Sequence, residues 1–288
     1  MAGSFFGKSG ARSPDVRPSP IAGQWYPGAP DRLRESIQSL LEGAVVEPVE
    51  GRLVGLVVPH AGHAYSGHVA AHAFRLLQGQ NYDVVVIVGP NHRIARSDPF
   101  LVADYGAYWT PLGEIAVDDE LVDSLDARLG MSRIRRDEEH SLEIQLPFLQ
   151  VVLDGPFRLL PVMLNDQSRA ACRDLGEALA DLLQAREALL IASTDLSHFY
   201  DAETAAHLDR AVIDRIAAFD PDGLLDVLER GKGHACGGGP TAAVMLAARA
   251  LGATHSEVLK YATSGDVTGD YRRVVGYAAA VMYAVEPE

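Results

Sequence analysis

The chain has 288 residues, 48% of them hydrophobic, and a net charge of −14, enough apolar material for one large core or two small ones. So acidic a surface repels phosphate backbones and argues against nucleic-acid binding. No run reaches the ~18 apolar residues of a membrane span, the amino terminus lacks the apolar stretch of a signal peptide, and the two cysteines, Cys172 and Cys236, make no disulfide framework. A cytoplasmic protein with no membrane attachment is expected.

Residues 1–16 are rich in Gly, Ser and Arg without apolar periodicity and are expected to form a disordered tail. Order is expected to begin around Val16–Pro27, with Gln24-Trp25-Tyr26-Pro27 as an aromatic anchor. Asp31 can cap a helix that places Leu33, Ile37, Leu40 and Leu41 on one face. Leu53–Val58, Val84–Val88, Phe157–Val162 and Leu189–Ala192 are continuous apolar runs, the signature of strands buried on both faces. Helical patterns separate them. Ser66 can cap a helix through Leu77, and Asp118–Leu129, His140–Leu153, Arg169–Leu183, Ala202–Phe219, Pro221–Glu229 and Pro240–Leu251 follow the same periodicity. Pro147 predicts a bend in the 140–153 helix or a shortening of it. Two late strands, Glu257–Thr263 and Arg273–Val285, come in succession and imply an antiparallel edge. The alternation predicts one α/β domain over 17–285, a three-layer α/β/α sandwich on a mixed, mostly parallel sheet.

Three of the apolar runs end in histidines. Val54–Val58 leads to Pro59-His60, Val84–Val88 to Gly89-Pro90-Asn91-His92, and Leu189–Ala192 to Ser193-Thr194-Asp195-Leu196-Ser197-His198. Ligands of open α/β sheets sit beyond the carboxyl ends of the strands, so these residues are candidates for one site. His60 and His92 are candidate metal ligands. Asp195 and His198 can face the same site, His198 as ligand or as general base, with Asp195 as ligand or as the group orienting the imidazole. Cys236 precedes Gly237-Gly238-Gly239-Pro240, the expected start of a helix whose amides lower a thiol pKa, which suits a metal ligand or a nucleophile. His140 and Glu143, in Glu138-Glu139-His140-Ser141-Leu142-Glu143, can share one face and supply acid/base function, with Ser141 as a helix cap. His63 and Asn91 are candidate substrate or supporting contacts. His68 and His72 stand four apart on a helix but lack an acidic partner and are expected to be surface histidines. Arg93 and Arg96 are the cations nearest the expected cleft.

Seven segments occur in the order seen in the Memo family, whose bacterial members are also called AmmeMemoRadiSam system protein B. They are Ala22–Pro27, Pro59–Gly62, Gly89–His92, Thr110–Gly113, Glu139–Glu143 with Leu146-Pro147-Phe148, Ser193–His198, and Cys236-Gly237. The chain resembles that family from about residue 17 to 285. The resemblance implies a fold similar to the class III extradiol ring-cleaving dioxygenases, which use non-haem iron(II). It also implies a metal site on His60, His92 and Cys236, with Asp195 and His198 lining the same pocket. Animal members bind copper or iron, influence cellular redox state and have been viewed as phosphotyrosine-peptide adaptors; bacterial members often accompany a radical-SAM protein. The dioxygenases use two histidines and a glutamate, so a cysteine here stands where a carboxylate is expected and changes metal preference and redox potential. The expected function is therefore a redox or dioxygenase-like protein holding Fe(II) or Cu. The alternative is a non-catalytic module that binds a small molecule or peptide in the same cleft.

Overall fold

The computed structural model describes residues 15–94 and 96–285. Most of the tail expected over 1–16 lies outside them; Val16 is already paired with Ala107. In chain order the elements are β1 (Val16–Arg17), α1 (Pro30–Gly43), β2 (Arg52–Val58), α2 (His63–Arg75), β3 (Val84–Pro90), β4 (Phe100–Ala103), β5 (Ala107–Thr110), β6 (Gly113–Ala116), α3 (Asp119–Leu129) and β7 (Ser132–Ile134). A 3₁₀ turn (Glu143–Gln145) leads into α4 (Leu146–Val152). Then come β8 (Arg158–Leu164), α5 (Arg169–Leu183), β9 (Ala188–Ser193), β10 (His198–Tyr200), α6 (Ala202–Ala217), α7 (Pro221–Glu229), α8 (Gly238–Ala250), β11 (His255–Thr263), α9 (Gly265–Thr268) and β12 (Val274–Ala284).

The fold is an α/β/α sandwich. Its main sheet runs β10-β12-β2-β9-β3-β8-β4-β7, with β11 on β12. The four central strands, β2, β9, β3 and β8, are parallel. Their residues are buried on both faces, except the first of β2 and of β8, which is why they read as unbroken apolar runs. Both margins are antiparallel where they join this centre: β12 pairs with β2, and β4 with β8. Helices α1, α2 and α4 form one layer, and α3, α5, α7 and α8 the other. A second sheet, β1-β5-β6, holds the amino-terminal segment.

Several helix starts differ from expectation for one reason: backbone or proline opens the helix where a side-chain cap was anticipated. Ala29 precedes α1 and Pro30 begins it, so Asp31 lies within the first turn, where its charge suits the helix dipole. Helix α2 starts at His63, three residues before Ser66. Its first amide donates to the Trp25 carbonyl at 2.8 Å, and Ser66 Oγ donates to Ala61 O. The 140–153 stretch is helical only from Glu143. Pro147 falls in the first turn of α4, where a missing N–H costs nothing, so the helix is shortened and not bent. Ser141 caps nothing; its hydroxyl donates to Pro90 O. By contrast Asp118, Ser168, Asp201 and Asp220 do cap their helices through side-chain oxygens.

The segment carrying Trp25 is fastened by a buried ion network. Arg17, 1% exposed, donates to Asp137 Oδ2 and Glu143 Oε2 at 2.5 Å each and to the Glu139 carbonyl at 2.6 Å. Tyr26 and Ser19 also donate to Glu143. Removing one partner of a buried ion pair leaves an uncompensated charge, at a cost of about 3–5 kcal/mol. The Arg17→Met variant is expected to lose stability on this scale, read as a lowered urea midpoint; an unchanged midpoint would refute the role given to Arg17.

Candidate metal centre

Parallel register brings the site together. Val58 of β2 lies beside Ser193 of β9, and Ala192 of β9 beside Val88 of β3. The turns leaving these three strands therefore open at one end of the sheet, and they carry His60, Asp195 with His198, and His92. Cys236 arrives from the turn before α8. Gly237 permits that approach: a Cβ there would meet Ser193 O at 2.4 Å.

His60, His92 and Cys236 each offer one ligand atom, and these atoms lie within 4.8 Å of one another. Cys236 Sγ is 3.1 Å from His60 Nε2 and accepts the Asp195 amide at 3.3 Å. The proton positions on the two imidazoles follow from their other partners. Ser193 Oγ donates its only proton to Ser141 O, at 2.6 Å. It must then accept from Gln145 Nε2 at 2.9 Å and from His60 Nδ1 at 3.1 Å. His60 thus carries its proton on Nδ1 and turns a bare Nε2 toward Cys236. His92 Nδ1 lies 3.0 Å from Glu139 Oε1, an acceptor, so this nitrogen also holds the proton and Nε2 is left bare. Two imidazoles oriented through Nδ1, here by a hydroxyl and a carboxylate, beside a thiol make a donor set suited to a transition metal, and these residues fit one.

Glu139 was not among the expected site residues. In sequence it is one of a pair of acids and resembles a solvated helix start; in the fold it is 1% exposed. Its carboxylate accepts the amides of His92, His140 and Ser141 as well as His92 Nδ1. With His92 and His140 it forms a second group of nearby donor atoms. Its oxygens are already committed to N–H groups, so it serves to position those two histidines. Hydrogen bonds from the ring and the amide of His92 outweigh burial and hold its carboxyl down at about 2.

His140 stacks on His92 with ring centroids 4.9 Å apart and also meets Trp25 at 4.3 Å. Burial, then the neighbouring His60, lowers its pKa to about 3. His60 is likewise lowered to about 3, first by burial and then by His92. Both are neutral bases at ordinary pH. Asp195 accepts the His60 amide at 2.7 Å, and burial pushes its carboxyl well up. The half-buried His198 is lowered by burial and then supported by Asp195. The Cys236 thiol departs from expectation. Burial, reinforced by Asp195, pushes it above the usual thiol range, which outweighs the amides at the start of α8.

These groups open into a cleft of about 550 Å³ lined by His60, His92, Arg93, His140, Asp195 and His198, with Trp25 and Tyr65 among its aromatic walls. Other expected contacts fall elsewhere. Glu143 belongs to the Arg17 network and does not share a face with His140. Asn91 shapes the His92 turn, donating to Ile94 O and Asn165 Oδ1. His63 packs between Tyr26 and Phe148 with Nε2 on the Ile144 carbonyl, under an adjoining hollow. His72 bonds the His68 carbonyl, and neither residue lines the cleft. A separate hollow of about 490 Å³, near Arg52 and Glu187 at the opposite end of the sheet, gathers no ligand cluster among the described residues.

The fold is thus an α/β/α sandwich that gathers two imidazoles and a thiol beyond the carboxyl ends of its central parallel strands, a donor set that could hold a metal ion. The family model for Memo-like proteins matches residues 17–281. The chain is 42% identical over 275 residues to a MEMO1 family protein of Methanopyrus kandleri, covering 91% of this chain and 97% of the relative. It is 40% identical over 271 residues to one of Methanosarcina mazei (93% and 99% covered) and 39% identical over 284 residues to one of Thermotoga neapolitana (93% and 99%). The chain belongs to the Memo family. No helix among the described residues is long and apolar enough to cross a membrane.

His63 supplies a test of burial. Desolvation lowers its pKa from 6.5 to about 4, against the Ile144 hydrogen bond. The unfolded chain protonates His63 near pH 6.5 and the folded chain only near pH 4. Its contribution to stability is therefore intact above the upper value and is lost as acid is added between the two, at up to about 1.4 kcal/mol per pH unit. His63→Gln keeps an N–H for Ile144 and removes the titration. Denaturant unfolding of the metal-free variant is expected to depend less steeply on pH across this window than that of the natural chain.

Proposed function

We propose that this protein is a metal-dependent redox protein in which His60, His92 and Cys236 hold one iron or copper ion, and that a small molecule binds beside it in the cleft. The observation that carries this reading is the pair of tautomers: Ser193 and Glu139 each fix a proton on Nδ1, leaving Nε2 of both histidines as a lone-pair donor. When bound, either metal would supply one-electron exchange and Lewis acidity at a position still open to substrate.

The remaining work falls to side chains of this chain. His198 lines the cleft and is half-buried, so its imidazole can take a proton from a bound hydroxyl. Asp195, close enough to raise the proton affinity of His198, stabilises the imidazolium so formed. His140, neutral and packed against His92 and Trp25, meets the His60 ring nearly at right angles, with centroids 5.4 Å apart, and so helps to hold both imidazoles in place. Cys236 must lose its proton to bind a metal, and its buried thiol gives it up only to a cation that replaces it. Metal uptake is therefore expected to release a proton and to weaken as pH falls. A cysteine in place of a carboxylate favours softer ions than the extradiol pattern does, and this separates the reading from ring cleavage by analogy alone.

Protein purified without chelator and without oxygen is expected to carry near-stoichiometric iron or copper by mass spectrometry. Cys236→Ser and His60→Ala should lose it while keeping the same circular dichroism. Ser193→Ala, which frees the His60 tautomer, should weaken metal affinity by roughly 10- to 100-fold. No metal in the natural chain, and no uptake on adding Fe(II) or Cu(I), would favour a binding module that uses the same cleft.

A further inference from the structure

Arg93 is the cation in the wall of the cleft. It follows His92 directly and is exposed. Many arginines in this acidic chain are engaged: Arg17 in the buried network, Arg135 with Asp15 and Asp104, Arg169 with Asp222, Asp226 and Glu229. The Arg93 guanidinium forms neither a salt bridge nor a hydrogen bond among the described residues; its backbone amide alone is bonded, to Asn91 Oδ1. It is near enough for its charge to act on His140. The acidic member of the cleft, Asp195, is 4% exposed, and its carboxylate is turned to the His60 amide. The charge that meets the free volume is therefore positive, in a molecule whose net charge is −14.

Aromatic residues line other walls. Trp25 is tilted by 45° to His140, and Tyr65 is 46% exposed at the start of α2. The volume, about 550 Å³, lies within the roughly 300–1,000 Å³ typical of small-molecule sites. Flat rings stack on indole, phenol and imidazole faces, and a planar guanidinium pairs with a carboxylate through two parallel N–H donors.

We infer that the cleft selects a planar aromatic monocarboxylate, with its ring between Trp25 and Tyr65 and its carboxylate on Arg93. Among the described residues that line the cleft, one free guanidinium balances one charge. A dianion such as a phosphate monoester would leave a charge unbalanced against the acidic field of the molecule. Arg93 is thus a specificity residue, set one position beyond a metal-ligand candidate. The inference rests on taking this cleft as the working site.

The test uses metal-free full-length protein, so binding does not depend on the metal. Equilibrium dialysis compares 2-naphthoate, 2-naphthamide and 2-naphthyl phosphate, which share a ring system and differ in charge. The carboxylate is expected to bind at least tenfold more tightly than the amide and than the phosphate. Arg93→Met should weaken the carboxylate about tenfold and leave the amide unchanged, and Trp25→Ala should weaken both. Equal binding of carboxylate and amide, or an Arg93→Met variant with undiminished carboxylate binding, would overturn the assignment. Tighter binding of the phosphate, lost in Arg93→Met, would also overturn it and point to a phosphorylated ligand. Metal content is measured on Arg93→Met in parallel and is expected to equal that of the natural chain; loss of metal there would make Arg93 a support of the His92 turn and not a selector. Absence of metal from the natural chain would sink the redox reading while leaving the dialysis result intact.

Discussion

The carboxylate of Glu139 accepts three backbone amides and one imidazole N–H in a volume closed to water, and the cleft depends on that arrangement. A buried charge of this kind is tolerable only when its oxygens are fully engaged. Glu139 meets the condition by drawing the His92 turn against the loop that carries His140. Arg17 then grips the same loop from behind through the Glu139 carbonyl. The histidines are oriented because a carboxylate needed donors, and the loop is fixed because an arginine needed acceptors.

Residues that a strand aims directly were legible in the sequence. His60, His92 and Asp195 follow their continuous apolar runs by two to four residues and each stands two residues beyond the end of its strand, and a strand buried on both faces has few other ways to end. The parallel centre of the sheet followed from the same runs. Glu139 was not legible, because a glutamate next to Glu138 has the pattern of a solvated surface and only tertiary contact reveals its burial. Glu143 failed in the opposite sense: its spacing from His140 suggests one helix face, but the segment is not helical until Glu143 and the side chain turns to Arg17. Strands β1 and β4–β7 are two to four residues long, too short to display a period. The early start of α2 was hidden because its first donor is satisfied by the carbonyl of Trp25, nearly forty residues back in the chain.

Burial lowers His60 and His140 and raises Cys236 in the metal-free protein, so these three groups avoid charges that the interior could not solvate. A divalent or cuprous ion would bring charge to the cluster and receive a thiolate in return. The donors are held in place beforehand by Ser193 and Glu139, and binding need not order them.

The strap formed by Val16 to Pro27 has a bearing on where this domain can be trimmed. Strand β1 is only two residues long, and a boundary drawn at the first substantial element would fall at α1. A truncation there would remove the guanidinium inside the ion network, the carbonyl that accepts the first amide of α2, and the indole wall of the cleft, all at once. What looks like a leader to the sandwich is a working part of its interior, and shortened expression fragments must retain it.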